Sequence, residues 1–150
     1  SMNVSGEFTV NAPRDVVYKT LRDASSFVRF VDGVQDLKEI DPTHYEAMFE
    51  TRVAYMKFKF AVTVEVTKME APGVIEAKIE GTPMGVVGRL TAKSTTTLTE
   101  AGDETKVVYA VESTLAGKLG SIGQPVLRSK AKDMEKIFAS RLRAAFEPKA

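Results

Sequence analysis

The 150-residue sequence predicts an α+β fold in which a curved antiparallel sheet of about seven strands wraps around a long C-terminal helix. Most of the chain alternates apolar and polar residues with a period of two, which is typical of half-buried strands. Clusters of proline and glycine divide this region into short segments, as turns do in antiparallel sheets. Beyond Gly117 the apolar residues recur with helical spacing instead. A helix of this kind can cover the apolar face of the sheet.

The first elements are predicted to be one strand and two short helices. Residues 4–10 alternate between apolar or small and polar side chains, as a strand does. Pro13 suits a first helical turn, because the N–H that proline lacks has no helical partner there. Apolar residues then follow helical spacing to Leu21, and Asp23 begins a stretch that resembles the N-cap of a second helix.

The middle of the chain is predicted to hold about six strands, because turn signals recur along it. These signals lie at residues 41–44, 71–73, 81–85 and 100–103. Between them, two segments each have an apolar face and a polar, solvent-facing one: Phe58–Val66 and Ile75–Ile79. Small or polar side chains on the predicted inner face leave space beside the bulky ones; these are Ala77, Gly81, Gly88, Ala92 and Ser94.

The last helix is predicted to begin beyond Gly117 and to carry one apolar stripe as far as Phe146. Pro125 removes one helical hydrogen bond and should kink or restart the helix. Glycines at 117, 120 and 123 allow close approach or movement, so Leu119–Val126 is a candidate gate. The alternative is that these glycines only permit tight packing against the sheet.

A strongly twisted sheet on a single helix cannot be filled by one layer of side chains, so we expect a ligand cavity between them. Its mouth is predicted near residues 27–31 and 117–125. Any one of the apolar candidates could equally be ordinary core. The predicted ligand-binding residues are Phe27, Phe30, Val31, Phe49, Tyr55, Phe58, Phe60, Ala77, Ile79, Gly88, Leu90, Ala92, Tyr109, Leu119, Ile122, Val126, Met134 and Phe138. The hydroxyl groups of Tyr45, Tyr55 or Tyr109 could orient a polar head group.

Composition excludes several kinds of chemistry. The chain has no cysteine and one histidine, so thiolate metal sites, disulfides and histidine clusters are excluded. His44 is expected to be an exposed turn residue, and Glu46, Glu50 and Arg52 to face solvent. The glycine-rich stretches fit neither a dinucleotide fingerprint nor a phosphate loop. We therefore predict no catalytic residue, no metal and no cofactor.

Charge and hydropathy constrain the partners and the location. A net charge of +1 is too small to steer the protein to nucleic acid or to an anionic membrane, and no apolar run approaches the ~18 residues that a membrane helix needs. Residues 1–150 are expected to form a single domain in the cytoplasm. Few asparagines and glutamines, many charges and no cysteine are compatible with a heat-adapted source.

Three segments are similar to a known family: Ala12-Pro13-Arg14-Asp15-Val16-Val17-Tyr18, Phe30-Val31-Asp32-Gly33-Val34, and Ala116 to Leu127 with its glycine-punctuated helix opening. They resemble CoxG, a family of carbon monoxide dehydrogenase subunits in the SRPBCC superfamily, and the similarity spans essentially the whole chain. The family pattern near the second strand resembles Pro-Gly-Cys, and this chain departs from it with Val31-Asp32-Gly33.

The resemblance implies a helix-grip (START-like) fold, an apolar cavity and an accessory role to a molybdenum hydroxylase that passes electrons toward membrane quinone. Some members carry a membrane-directed C-terminal tail, whereas this sequence stops at Glu147-Pro148-Lys149-Ala150. Only transient contact at the inner face of the membrane is therefore expected. The predicted function is non-enzymatic binding of a lipid or isoprenoid quinone. The alternatives are a small cavity enzyme, such as a cyclase or hydrolase, and a protein-interaction factor with a filled core.

Overall fold

The computed structural model describes residues 1–148 and contains a seven-stranded antiparallel sheet, two short helices and a long C-terminal helix. In chain order the elements are β1 (Met2–Val10), α1 (Arg14–Arg22), α2 (Ala24–Phe27), β2 (Val34–Asp41), β3 (His44–Val53), β4 (Met56–Glu70), β5 (Val74–Pro83), β6 (Gly88–Ala101), β7 (Glu104–Gly117) and α3 (Gln124–Phe146). Two 3-10 turns occupy Val28–Phe30 and Lys118–Ser121. The fold class predicted from the sequence is confirmed.

The sheet is a meander from β2 to β7, and β1 returns to pair with β7. The strand order is therefore β1-β7-β6-β5-β4-β3-β2, with every pair antiparallel. The register of β4 on β5 shifts between Val66 and Lys68, and that of β2 on β3 shifts twice. Such bulges bend strands and increase their twist. The curvature gives the sheet a concave face, on which α3 packs.

The buried core is divided between two clusters at opposite ends of the concave face. The larger cluster joins β1 and α1 to the C-terminal half of α3, where Leu142 is fully buried. Phe138 of α3 makes edge contacts with Phe8 and Phe30 in the same cluster. The smaller cluster joins Val53, Phe58, Phe60 and Leu119. The middle of the concave face is therefore less densely filled than its two ends.

A tight turn at Ala54 and Tyr55 joins β3 to β4, and the sequence pattern does not mark it. Ala54 adopts a positive φ of 56°, which is uncommon for alanine, and neither residue is a glycine, asparagine or aspartate. Tyr55 lies at the apex and is 98% exposed. The turn directs the ring into solvent, so its contact with a ligand, expected from the sequence, stays a prediction.

The segment before α3 is not one continuous helix. Lys118–Ser121 forms a separate 3-10 turn that buries Leu119, and α3 begins at Gln124 with Pro125 in its first turn. Proline is tolerated there because the first N–H groups of a helix have no helical acceptor. Pro125 therefore lies at the start of the helix and does not kink it. Of the two outcomes predicted from the sequence, a kink or a restart of the helix, the structure has the restart.

Two glycines allow this segment to pack closely against the sheet. Gly117 has a φ of 67°, and a Cβ added to it would lie 2.6 Å from the carbonyl oxygen of Val87. A Cβ on Gly88 would lie 2.8 Å from the carbonyl oxygen of Ala116. These contacts support the tight-packing interpretation for these two positions. Movement of Leu119–Val126 as a gate stays a prediction.

Replacing Gly117 with alanine should destabilise the protein more than replacing Gly85 does. Both residues have positive φ, but a Cβ at Gly85 meets nothing within 4 Å. We expect Gly85→Ala to cost about 1 kcal/mol from backbone strain alone and Gly117→Ala roughly 2–3 kcal/mol, because its Cβ must also displace backbone. Urea denaturation of both variants measures the difference. Equal losses would mean that the contact with Val87 relaxes without cost.

Candidate functional site

Two cavities lie between the concave face of the sheet and the helices. The central cavity has a volume of about 300 Å³ and lies between the sheet, α1 and α2 and the middle of α3. The tip cavity has a volume of about 230 Å³ and lies between the ends of β3, β6 and β7, the Lys118–Ser121 turn and the start of α3. Together they reach the size range of small-molecule pockets, about 300–1,000 Å³.

The central cavity is walled chiefly by apolar side chains from the inner faces of β3, β4 and β5. Alternate residues of a strand point to one face, so Val62, Val64 and Val66 of β4 reach the cavity together. Ala77 and Ile79 of β5 continue this wall. The small side chain at Ala77 is one reason that space remains here.

Three side chains line both cavities: Phe49 of β3, Leu90 of β6 and Met134 of α3. They form the partition between the two spaces. Met134 is flexible, because its unbranched thioether has three rotatable bonds.

The structure gathers many of the predicted ligand-binding residues around these cavities. In addition to the three partition residues, the central cavity is lined by Phe27, Val31, Ala77 and Ile79. The tip cavity is lined by Phe58, Phe60, Leu119 and Ile122. Their contact with a ligand stays a prediction.

Other predicted ligand-binding residues line neither cavity. Phe30 and Phe138 pack in the larger core cluster, because they close the end of the fold where α3 meets β1. Gly88 is covered by Leu119, and Ala92 lies on the inner face of β6 without lining either cavity. Val126 is 39% exposed, since it faces away from the sheet in the first turn of α3.

Sequence reasoning missed several of the residues that line the cavities. The alternation that identified Phe58 and Phe60 predicts the inner face of β4 as far as Val66, so Val62, Val64 and Val66 could have been included. Leu127 belongs to the apolar stripe predicted for the last helix, so it could have been included as well. Leu37 of β2 had no comparable signal, because it lies where the register of β2 on β3 shifts.

Few polar groups enter the cavities. Tyr45 lines the central cavity, and its hydroxyl donates a hydrogen bond of 3.0 Å to the carbonyl oxygen of Pro42. Burial, followed by nearby Glu39, raises the pKa of Tyr45, so its phenol is neutral at pH 7. Arg22 lies at the edge of the central cavity and Lys130 at the edge of the tip cavity. Of the three candidate head-group tyrosines, only Tyr45 reaches a cavity.

Tyr109 is occupied elsewhere: its hydroxyl donates a short hydrogen bond to a carboxylate oxygen of Glu135 on α3. The contact requires Gly6 on β1, because an added Cβ there would overlap the Tyr109 hydroxyl. Burial, with the Glu135 carboxylate second, raises the pKa of Tyr109 to about 12. The pair fastens α3 to the β1–β7 edge of the sheet and does not face a ligand.

Replacing Tyr109 with phenylalanine should lower the free energy of unfolding by about 1.5–3 kcal/mol near neutral pH, because a hydrogen bond to a charged group is lost. The pKa is raised in the folded state, so this contribution is complete below pH 10 and is lost as the pH rises from 10 toward 12. Urea denaturation of both proteins at pH 8 and at pH 11 measures it. A difference that grows with pH would contradict this assignment.

The charged residues that the sequence places in solvent, His44, Glu46, Glu50 and Arg52, line neither cavity. His44 is exposed and pairs with Asp41 and Glu65, and the hydrogen bond to Asp41 is the main reason that its pKa is raised. Glu50 pairs with Lys57 and Lys59 on the outer face of the sheet. Within residues 1–148, no group of three or more histidine or acidic residues could hold a metal ion.

A curved antiparallel sheet on a C-terminal helix, with an apolar space between them, defines a helix-grip protein of the START-like class. A model of the CoxG family of carbon monoxide dehydrogenase subunits matches residues 6–146. The chain belongs to the CoxG family, which confirms the resemblance seen in the sequence. Family and fold together indicate an accessory protein that binds a hydrophobic ligand.

Solved structures share the fold at low sequence identity. A conserved protein from Geobacillus kaustophilus superposes with a TM-score of 0.87 at 23% identity, covering 97% of this chain and 95% of that one. A START superfamily protein from Mycobacterium smegmatis gives 0.72 at 10% identity, covering 96% of both chains. A Chromobacterium violaceum protein gives 0.70 at 15% identity, covering 99% of this chain and 100% of that one. None of the curated proteins compared with this chain matches it.

Transient membrane contact is an expectation from the sequence. In the part of the chain that the structure describes, no helix has the length and apolarity to cross a bilayer. Of the last four residues, Lys149 and Ala150 lie outside the described residues.

Proposed function

We propose that this protein binds one long apolar molecule, an isoprenoid quinone or a lipid, in the central and tip cavities and carries it between a membrane and a molybdenum hydroxylase. One observation supports this proposal most: two apolar cavities lie side by side, and Phe49, Leu90 and Met134 line both of them. A compact ligand would fill one cavity. An elongated one would displace the partition and occupy both.

The apolar lining favours recognition of a tail over recognition of a head group. Each buried methylene contributes about 0.8 kcal/mol. A typical hydrogen bond contributes about 1 kcal/mol net, so two isoprene units outweigh one head-group contact. Tyr45 is the group best placed to orient a polar head, because its hydroxyl can accept a hydrogen bond while it donates to Pro42.

The partner part of the proposal rests on family membership. The family is named for a subunit of carbon monoxide dehydrogenase. A quinone carrier fits an enzyme that delivers electrons to quinone, because the apolar electron acceptor needs a route through water.

Native mass spectrometry with a menaquinone analogue and a ubiquinone analogue tests the binding step. We expect a one-to-one complex. With ligand at 100 times its Kd, the protein should gain about 2.7 kcal/mol. A gain of this size raises the melting temperature by roughly 5–10 °C. A fatty acid serves as a second probe, because its binding in place of both quinones would redirect the proposal to lipids. Failure of all three to bind would refute it.

The alternatives make different demands on the same cavities. An enzyme needs at least one ionisable group placed for chemistry, and Tyr45, Arg22 and Lys130 are the side chains of that kind at the cavity walls. Their positions at different walls do not form a catalytic pair. A filled-core interaction factor would lack the two cavities. Binding therefore remains the function that the geometry supports best.

A further inference from the structure

The turns at one end of the sheet form a projecting surface, which we call the tip. It consists of the Ala54–Tyr55 turn, the Met84–Val87 turn and residues 117–123. Antiparallel pairing brings them together, because Phe60 pairs with Pro83 and Gly88 pairs with Gly117. The N–H of Lys118 donates a hydrogen bond to the carbonyl oxygen of Val87, which joins two of the three segments.

Large apolar side chains are exposed on the tip. Tyr55 is 98% exposed, Val87 80% and Met84 58%. Met56, next to Tyr55, is 51% exposed. The other large apolar residues that are exposed in the described chain are Val16, Ile40, Met69, Val108 and Val126. Tyr55, Met84 and Val87 extend from two neighbouring turns, so a surface pressed against the tip would meet them together.

The same end of the molecule is basic, although the net charge of the chain is only +1. The segments that build it, residues 51–59, 81–89 and 117–130, contain no acidic residue. Glu50 and Glu80 neutralise some of this charge through ion pairs with Lys57, Lys59 and Arg89. The basic residues of the three segments are Arg52, Lys57, Lys59, Arg89, Lys118, Arg128 and Lys130.

The opposite end of the sheet carries several acidic residues. They are Asp41, Glu70, Glu100, Asp103 and Glu104, at the ends of the strands and in the turn between β6 and β7. Lys68 and Arg14 neutralise part of this charge through ion pairs with Glu70 and Glu100. A negatively charged surface would therefore attract the tip more strongly than this end, which orients the protein before contact.

The tip adjoins a ligand cavity. Val53, the last residue of β3, lines the tip cavity directly before the Ala54–Tyr55 turn. Gly120 and Gln124 line it too, and both are exposed, so the cavity reaches the surface at this end. A molecule that leaves an apolar phase in contact with the tip would have a short path into the protein.

We propose that the tip is a docking surface for an anionic phospholipid bilayer. Tyr55, Met84 and Val87 insert into the interfacial region, and the surrounding lysines and arginines contact the phosphate head groups. Aromatic and flexible apolar side chains surrounded by basic residues are the combination that binds such an interface. Loading of the tip cavity from the bilayer is the part of this inference that rests on the proposed function.

Sedimentation with vesicles tests the docking. We expect the protein to pellet with phosphatidylcholine vesicles that contain phosphatidylglycerol and much less with phosphatidylcholine alone, and added salt should release it. The triple variant Tyr55→Ser/Met84→Ser/Val87→Ser should bind about ten-fold more weakly or worse, because the inserted apolar area is lost. Arg52→Gln/Lys118→Gln should weaken binding to anionic vesicles only.

The matched control is Val16→Ser/Ile40→Ser/Val108→Ser, which removes three exposed apolar side chains away from the tip. It should bind vesicles like the unchanged protein. Lack of vesicle binding by the unchanged protein, or equal losses in both triple variants, would overturn the proposal. So would a dimer in size-exclusion chromatography that only the tip variant abolishes, because the tip would then bind a second copy.

The same variants separate docking from ligand binding. The tip variant should bind the menaquinone analogue in native mass spectrometry as the unchanged protein does, since none of its three positions lines a cavity. Vesicle binding through the tip without binding of either quinone analogue or the fatty acid would refute the proposed function and leave the docking surface standing. Quinone binding without vesicle binding would refute the docking surface and leave the proposed ligand binding standing.

Discussion

Replacing Ala77 with phenylalanine should weaken binding of the menaquinone analogue by about 100-fold or more, equivalent to about 2.7 kcal/mol. Ala77 lies at the centre of β5 and faces the central cavity. A phenyl ring at this position would occupy the space that the ligand needs. Filling an empty apolar space adds favourable contacts, so the melting temperature without ligand should be unchanged or higher. Native mass spectrometry and thermal denaturation measure the two effects separately.

Ala61→Phe is the matched control for this prediction. Ala61 lies on the neighbouring strand β4, is exposed and points to the outer face of the sheet. The same substitution there should leave ligand affinity within about two-fold, because the added ring contacts only solvent and surface side chains. Equal loss of affinity in both variants would place the ligand somewhere other than the central cavity.

Replacing Phe138 with alanine should destabilise the protein by about 3 kcal/mol, with a fall in melting temperature of roughly 6–12 °C. Its ring contacts those of Phe8, Phe27 and Phe30, which joins α3 to β1 and to the segment after α1. The loss comes from the core and not from a ligand site. Thermal and urea denaturation without ligand should therefore show the whole effect.

Met134→Ala tests the same helix face one turn earlier. Met134 already borders both cavities, so its removal loses fewer contacts and should cost about 1–2 kcal/mol. It also widens the passage between the cavities, so a long-tailed quinone should bind at least as well as before. A larger loss of stability from Met134→Ala than from Phe138→Ala would mean that the partition, and not the larger cluster, holds α3 in place.

These two pairs of variants test whether an inner residue borders a binding space or belongs to a packed core. The sequence pattern is the same in both cases. Phe138 and Met134 have the same helical periodicity and are both large and apolar. Only their neighbours differ: three aromatic rings surround Phe138, whereas empty space borders Met134. Hydrophobic spacing indicates which face of a helix or strand is buried, but it does not indicate whether side chains fill the space beside that face.

The sequence by itself determined the fold class, the order of elements and the family. Alternation of side chains along β4 and β5 follows from the geometry of a strand, and glycine and proline end strands for local steric reasons. The inner position of Phe58, Phe60, Ala77 and Ile79 could be predicted for the same reason, since it depends only on parity within one strand.

Only the tertiary structure decided which inner residues border empty space and which exposed ones lie together. The sequence pattern places Tyr55 in the interior because its turn uses an alanine at positive φ, which no residue pattern reports. The tip depends on pairing between strands that are distant in the chain, which brings residues 51–59, 81–89 and 117–130 to one end. The net charge of +1 hides this separation, because charges cancel in a sum and not in space.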